Sequence, residues 1–234
     1  MDPNLGSAAP ARSQAEYFAR WSQLHGGVDP EKSWLVRGWL ATAYALARPL
    51  TAIGMFPNVV TALGMAIAIG VPLCAELSVS QSQPLWLWLA VVGCAVSGLV
   101  DSLDGAVAVI SGRTSPWGFV VDSVADRVSD LALLAALWLA GGSGVACAVA
   151  AGITVLQEYS RARAGAAGMS DVGVISVWER PTRIVVVAVF LGLAAWSPFG
   201  LTHSNWSNLG AWLTLGLSAV GCVQVLLTIR RTLR

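Results

Sequence analysis

Asp101, Asp104, Asp122 and Asp126 are the residues in this sequence whose types and spacing best suit chemistry. The i, i+3 spacing of the first pair and the i, i+4 spacing of the second each put two carboxylates on one helix face. The connection SGRTSP at 111–116 is short and polar, so the two helices it joins are predicted to be antiparallel neighbours with four carboxylates converging across one gap. An isolated Asp at the centre of a bilayer costs about 2.5–3.5 kcal/mol, and four together also repel one another. Something cationic must compensate. Arginine pairing, shared protons and divalent cations are the three candidates. Nearby arginines are few: Arg113 lies in the connection, and Arg127, as the neighbour of Asp126, points elsewhere. Carboxylates without His or Cys suit hard ions such as Mg²⁺ or Mn²⁺. Two such ions clamp a diphosphate and stabilise both the attacking and the leaving oxygen. Gly105 follows Asp104, where a missing side chain lets a ligand approach the backbone. Gly118, one turn before Asp122, favours close helix packing.

The elements that must position these groups are membrane helices. Of the 234 residues, 56% are apolar and only 12% charged, half the charged share of a typical soluble domain. The fold class expected is all-α integral membrane: six transmembrane helices preceded by an interfacial amphipathic helix. The spans are placed near 58–77, 85–110, 117–140, 144–164, 183–200 and 207–229, each close to the roughly 20 residues a crossing needs. Residues 1–32 form a polar N-terminal segment with a short helix predicted at AEYFARWSQL. Residues 33–55 form the interfacial helix, with Trp34, Leu35, Trp39 and Leu46 on one broad apolar face. Residues 56–234 form the membrane domain. The four cysteines fall in separate apolar segments and read as free, buried thiols. The first thirty residues lack the apolar stretch of a cleavable signal peptide.

With six spans, all fourteen Lys and Arg fall on one side of the membrane or at its edge. The positive-inside rule then puts both termini, and the aspartates, on the cytoplasmic side. A net charge of +1 gives no reason to expect a nucleic-acid partner.

The run from Asp101 to Asp126 has the form D-x2-D-G-x2-A-x9-G-x3-D-x3-D, with Asp101, Asp104, Gly105, Ala108, Gly118, Asp122 and Asp126 in register. This resembles the signature of the CDP-alcohol phosphotransferases, integral membrane enzymes of phospholipid synthesis. One position departs from it, Val109, where the family normally has arginine. FPNVVTALG at 56–64 is similar to the start of the family's first core span and offers Asn58 and Thr61 near the nucleotide. YSRARAGAAGM, WERPTR, DRVSD at 126–130 and GCVQ at 221–224 resemble the phosphatidylinositol-phosphate synthase branch.

The resemblance implies transfer of a phosphatidyl group from a CDP-lipid such as CDP-diacylglycerol to a polar acceptor alcohol, releasing CMP. Inositol phosphate or another phosphorylated polyol is the acceptor it suggests. Asp101, Asp104 and Asp122 would hold one or two divalent ions, Mg²⁺ or Mn²⁺. Asp126 would be the general base and a further metal ligand. Asn58, Thr61, Asp104, Gly105, Ala108, Gly118 and Arg113 would contact the donor, with Arg113, one turn on, replacing the charge lost at Val109 if the helix persists that far. Arg161, Arg163, Arg180 and Arg183 would bind the acceptor, Arg163 and Arg180 foremost; guanidinium forks suit phosphate. Glu158 stands where the inositol-phosphate branch tends to have serine, and a carboxylate there repels phosphate unless it is paired with arginine. Asp130 shares the face of Asp122 and Asp126 and is expected to pair with Arg127 or line the cavity. A homodimer is also implied, with membrane lipids around it. Two other readings stand beside the enzyme. One is a cation- or proton-coupled transporter, which calls for acidic residues deeper in the bundle; the other is a family member that binds CDP-lipid without turnover.

Overall fold

The computed structural model describes residues 10–24, 27–169 and 176–234, and these are helical throughout, with no strand among them. Eight α-helices follow in order: α1 (Gln14–Leu24), α2 (Trp34–Ala52), α3 (Pro57–Ser80), α4 (Leu85–Ser111), α5 (Pro116–Leu139), α6 (Gly144–Ala166), α7 (Arg180–Trp196) and α8 (His203–Thr232). Short one-turn helices at Pro30–Lys32 and Pro198–Gly200 lie between them. Each of the six apolar segments read from the sequence coincides with one helix from α3 to α8, and α1 and α2 match the two N-terminal helices.

Three of these helices, α3, α4 and α8, are long and apolar enough to cross a membrane. α5 carries Asp122, Asp126, Arg127 and Asp130, α6 carries Glu158, Arg161 and Arg163, and α7 has only 17 residues. The charges and the short length that set these three apart belong to the chemistry discussed below. α8 shows the inside-out pattern of a membrane helix. Ser207, Gly210, Thr214, Ser218 and Gly221 are buried, while Trp212, Leu213, Val220, Val223, Leu226 and Leu227 are exposed. The buried hydroxyls of Ser207, Thr214 and Ser218 donate to carbonyls of their own helix, as for Thr214 to Ala211 at 2.8 Å, so these three do not depend on water.

The chain divides into two compact units. The first comprises Met1–Met65 and Gly98–Asp126. Its core joins Tyr17 and Phe18 of α1, Leu40, Ala43 and Ala47 of α2, Val60 of α3, and Leu103, Ala106, Val107, Val109 and Ile110 of α4. The second comprises Ala66–Ser97 and Arg127–Arg234. Val71, Leu87, Leu133, Leu137, Val187, Leu191 and Ala211 lie at its centre, and α8 packs on both α6 and α7. The four cysteines are free thiols, three of them buried.

Candidate active site

In the first unit, the α4–α5 connection sets the geometry. α4 ends at Ser111; Gly112 takes a left-handed φ of 68°, and the Arg113 amide closes the turn onto the Ala108 carbonyl at 2.9 Å. Ser115 then receives the Gly118 amide on its Oγ at 3.0 Å, and Pro116 opens α5. Asp101, Asp122 and Asp126 meet as a result. Each is half-buried and offers one carboxylate oxygen, and these three oxygens lie within 4.8 Å of one another. Such an all-oxygen set fits a hard divalent ion.

Asp104 is not part of that trio. It is buried, and its Oδ2 accepts from Thr61 Oγ1 at 2.6 Å. Thr61 and Asp104 were expected to serve the donor, and the structure ties them to each other. Around them the chain leaves room where the sequence suggested it. A side-chain carbon at Gly105 would meet nothing within 4 Å, whereas one at Gly64 would come 3.2 Å from Val100 of α4. Gly118 faces Asn58, whose Oδ1 lies 3.5 Å from where a Cβ would stand. Arg113 does not continue α4. It lies beyond the helix end, donates to the Gly54 carbonyl at 3.2 Å, and sits over the Phe56 ring at 4.6 Å. Val109 is buried among the residues of α1 and α2, and its carbonyl accepts the Ala11 amide at 3.4 Å.

The second unit holds a network of charged groups. Arg183, almost wholly buried, donates through Nη1 to Asp130 Oδ2 at 2.7 Å and through Nη2 to Glu158 Oε1 at 2.6 Å. Arg127 reaches Asp130 at 3.3 Å and Glu158 at 3.2 Å. Arg161 forks onto Glu179, with Nη1 to Oε2 at 2.9 Å, and stands 3.5 Å from Glu158. Arg180 lies 3.9 Å from Asp130. Arg163 is exposed in the last turn of α6. Glu179 precedes α7 without capping it by its side chain; its Oε1 instead accepts both the amide and the hydroxyl of Ser176 at 2.7 Å. Burial works to raise its carboxyl, but Arg161 and then Ser176 outweigh that, and the group is held below the ordinary carboxylate value of 4.5.

Sequence reasoning missed the groups that hold this network. Trp178 is fully buried, its carbonyl accepts from Arg183 Nε and Nη2 at 3.1 and 2.9 Å, and its indole donates to Thr154 at 2.9 Å. Gln157, also fully buried, donates to Ser176 and to the Trp178 carbonyl. Gln224 accepts the Val177 amide at 2.9 Å, which gives the GCVQ stretch a physical role. The usable signal was Gln157 and Gln224 within otherwise apolar helices, and Trp178 in the turn before α7, since each needs a partner when buried.

Residues 54–222 match the CDP-alcohol phosphatidyltransferase family. The chain belongs to that family. The enzyme is accordingly a transferase of phospholipid synthesis that moves a phosphatidyl group from a CDP-linked donor to an alcohol. It is 35% identical over 188 residues to the phosphatidylinositol phosphate synthase of Streptomyces avermitilis, covering 76% of this chain and 73% of that one. The archaetidylinositol phosphate synthase of Aeropyrum pernix is 28% identical over 148 residues, 61% of this chain and 76% of that one. Among solved structures, the Mycobacterium tuberculosis phosphatidylinositol phosphate synthase with CDP-DAG bound superposes with a TM-score of 0.64 at 29% identity, covering 80% of this transferase and 92% of that chain. The same protein in complex with manganese and citrate gives 0.65 at 29% identity, with coverage of 80% and 88%.

Proposed function

We propose that the transferase moves the phosphatidyl group of CDP-diacylglycerol onto a polar polyol and releases CMP, with Asp126 as the general base. The observation that carries this reading is the Asp101–Asp122–Asp126 trio, three convergent carboxylate oxygens on two adjacent helix segments within the family's motif. The trio would hold Mg²⁺ or Mn²⁺; when bound, the ion neutralises charge on the donor diphosphate and helps CMP depart. Asp126 takes the proton of the acceptor hydroxyl as it attacks the donor's phosphorus. Asp104, oriented by Thr61, is assigned to the donor side together with Asn58, Gly105, Ala108 and Gly118. Gly105 leaves open space beside the backbone for the nucleotide. Arg113 is kept there as a cation at the rim, anchored on Gly54 and Phe56.

On the acceptor side stand Arg161, Arg163, Arg180 and Arg183. The names of the relatives make inositol phosphate, or another phosphorylated polyol, the first candidate. The donor's acyl chains remain in the bilayer, which explains why the enzyme is a membrane protein. We further propose six membrane-crossing helices, α3 to α8, with α2 on the cytoplasmic interface. The exposed Trp34, Leu35 and Trp39 of α2 support that placement. The one-sided distribution of Lys and Arg supports cytoplasmic termini, and family likeness supports a homodimer.

Asp126→Asn tests the assignment of the base. It should lower CMP release by about 10²–10⁴-fold. Full activity in that variant removes Asp126 from the base role.

A further inference from the structure

The arginines around residues 158–183 would ordinarily be read as a phosphate clamp, yet Arg161 and Arg183, with Arg127 beside them, turn their terminal nitrogens onto carboxylates and a carbonyl inside the protein. Arg183 uses Nη1 on Asp130, Nη2 on Glu158 and the Trp178 carbonyl, and Nε on that same carbonyl. Arg161 uses both terminal nitrogens on Glu179 and also approaches Glu158. Arg127 divides its two terminal nitrogens between Asp130 and Glu158. Three guanidinium groups therefore converge on one carboxylate, Glu158, whose side chain is 21% exposed. With Arg180 included, four arginines face three carboxylates.

A phosphate monoester carries close to two negative charges at neutral pH and is bound best by guanidinium forks aimed at it. Entry into this cluster would bring it against the Glu158 carboxylate. It would also require breaking the Arg183–Glu158 or Arg161–Glu179 pair, which takes from a part-buried carboxylate its nearest guanidinium. A neutral hydroxyl meets no such obstacle. It donates to an exposed edge of Glu158 or Glu179 while the arginine pairs persist, because a carboxylate accepts several hydrogen bonds at once.

We infer that Glu158 is a specificity-determining residue: its carboxylate fills the anion position of the arginine cluster, so the acceptor is a polyol without a phosphate, held through its hydroxyls. This rests on the transfer reading above and departs from the phosphorylated acceptor that the relatives' names suggest.

The test uses the purified full chain with CDP-diacylglycerol, Mg²⁺ and matched acceptor pairs, inositol against inositol 1-phosphate and glycerol against glycerol 3-phosphate. kcat/KM for CMP release should be at least about tenfold higher for an unphosphorylated member, and Glu158→Ser should lower that ratio at least about tenfold. A wild-type preference for the phosphorylated members overturns the inference. Titration with inorganic phosphate in the presence of a chelator gives a second readout that needs no turnover. Wild-type protein should show no saturable binding and Glu158→Ser should gain it; tight, saturable binding by the wild type overturns the inference. Should no acceptor support CMP release, the transfer reading fails, and the phosphate titration alone decides the role of Glu158. Glu158→Gln, which keeps the shape and removes the charge, replaces the serine variant if that does not fold.

Discussion

Val109 stands where the family pattern has an arginine, and its surroundings account for the change. The side chain is buried in a cluster built from Tyr17, Phe18, Leu40, Ala43 and Ala47, residues that lie outside the matched family segment. The N-terminal helices that pack on this turn of α4 make an apolar residue the favourable choice. Val109→Arg should therefore destabilise the fold by about 1–3 kcal/mol through overpacking, read as a lower midpoint of thermal unfolding in detergent; an unchanged midpoint contradicts this packing. Arg183 is the opposite case, a buried charge that its partners require. Arg183→Ala takes the nearest guanidinium from both Asp130 and Glu158, leaves Arg127 to serve the two, and should cost about 3–5 kcal/mol, again measured by unfolding. The aspartate motif was legible in the sequence because its spacing is local to two helices. That Thr61 holds Asp104 outside the trio was not, since the two residues lie 43 positions apart. The partners of Glu158 were hidden for the same reason: Arg183 comes from another helix, 25 positions on.

At the scale of elements, apolar runs and punctuation revealed α3 to α8, because Pro57, Pro84, Pro116, Ser143, Pro181 and Thr202 stand at or just before their first turns. The end of α4 was harder to place. Gly112 stops the helix before Arg113, so that side chain turns back toward Gly54 rather than extending the motif face. α8 is positioned by a small residue whose purpose the sequence did not reveal. A Cβ at Gly221 would stand 2.6 Å from the Trp178 Cβ, so the helix and the 176–179 segment meet through a missing side chain. Alanine in place of glycine normally favours a helix by about 1 kcal/mol. Here the clash dominates, and Gly221→Ala should lower stability by about 1–3 kcal/mol and loosen the Arg183–Trp178 contacts. Unfolding curves and Trp fluorescence together check it; a stabilised variant with unchanged fluorescence contradicts the contact.

For the molecule as a whole, composition established a membrane protein because little of so apolar a chain suits contact with water, and the helices agree by burying small polar residues and exposing large apolar ones. The catalytic identity came from a few carboxylates at the facing ends of α4 and α5. A transporter reading calls for carboxylates spread deeper through the bundle; here three are gathered at one motif, and membership of a transferase family decides between the two. The acceptor could not be read from motifs alone, because it depends on which arginines already have carboxylate partners. The central claim is tested most directly by incubating the purified protein with CDP-diacylglycerol, Mg²⁺ or Mn²⁺ and a panel of polyols, and quantifying CMP together with the lipid product. CMP formed in equal amount to a new phosphatidyl-polyol, and abolished by chelation or by omitting the acceptor, is the predicted result. Firm binding of CDP-diacylglycerol with no CMP from any acceptor would contradict it.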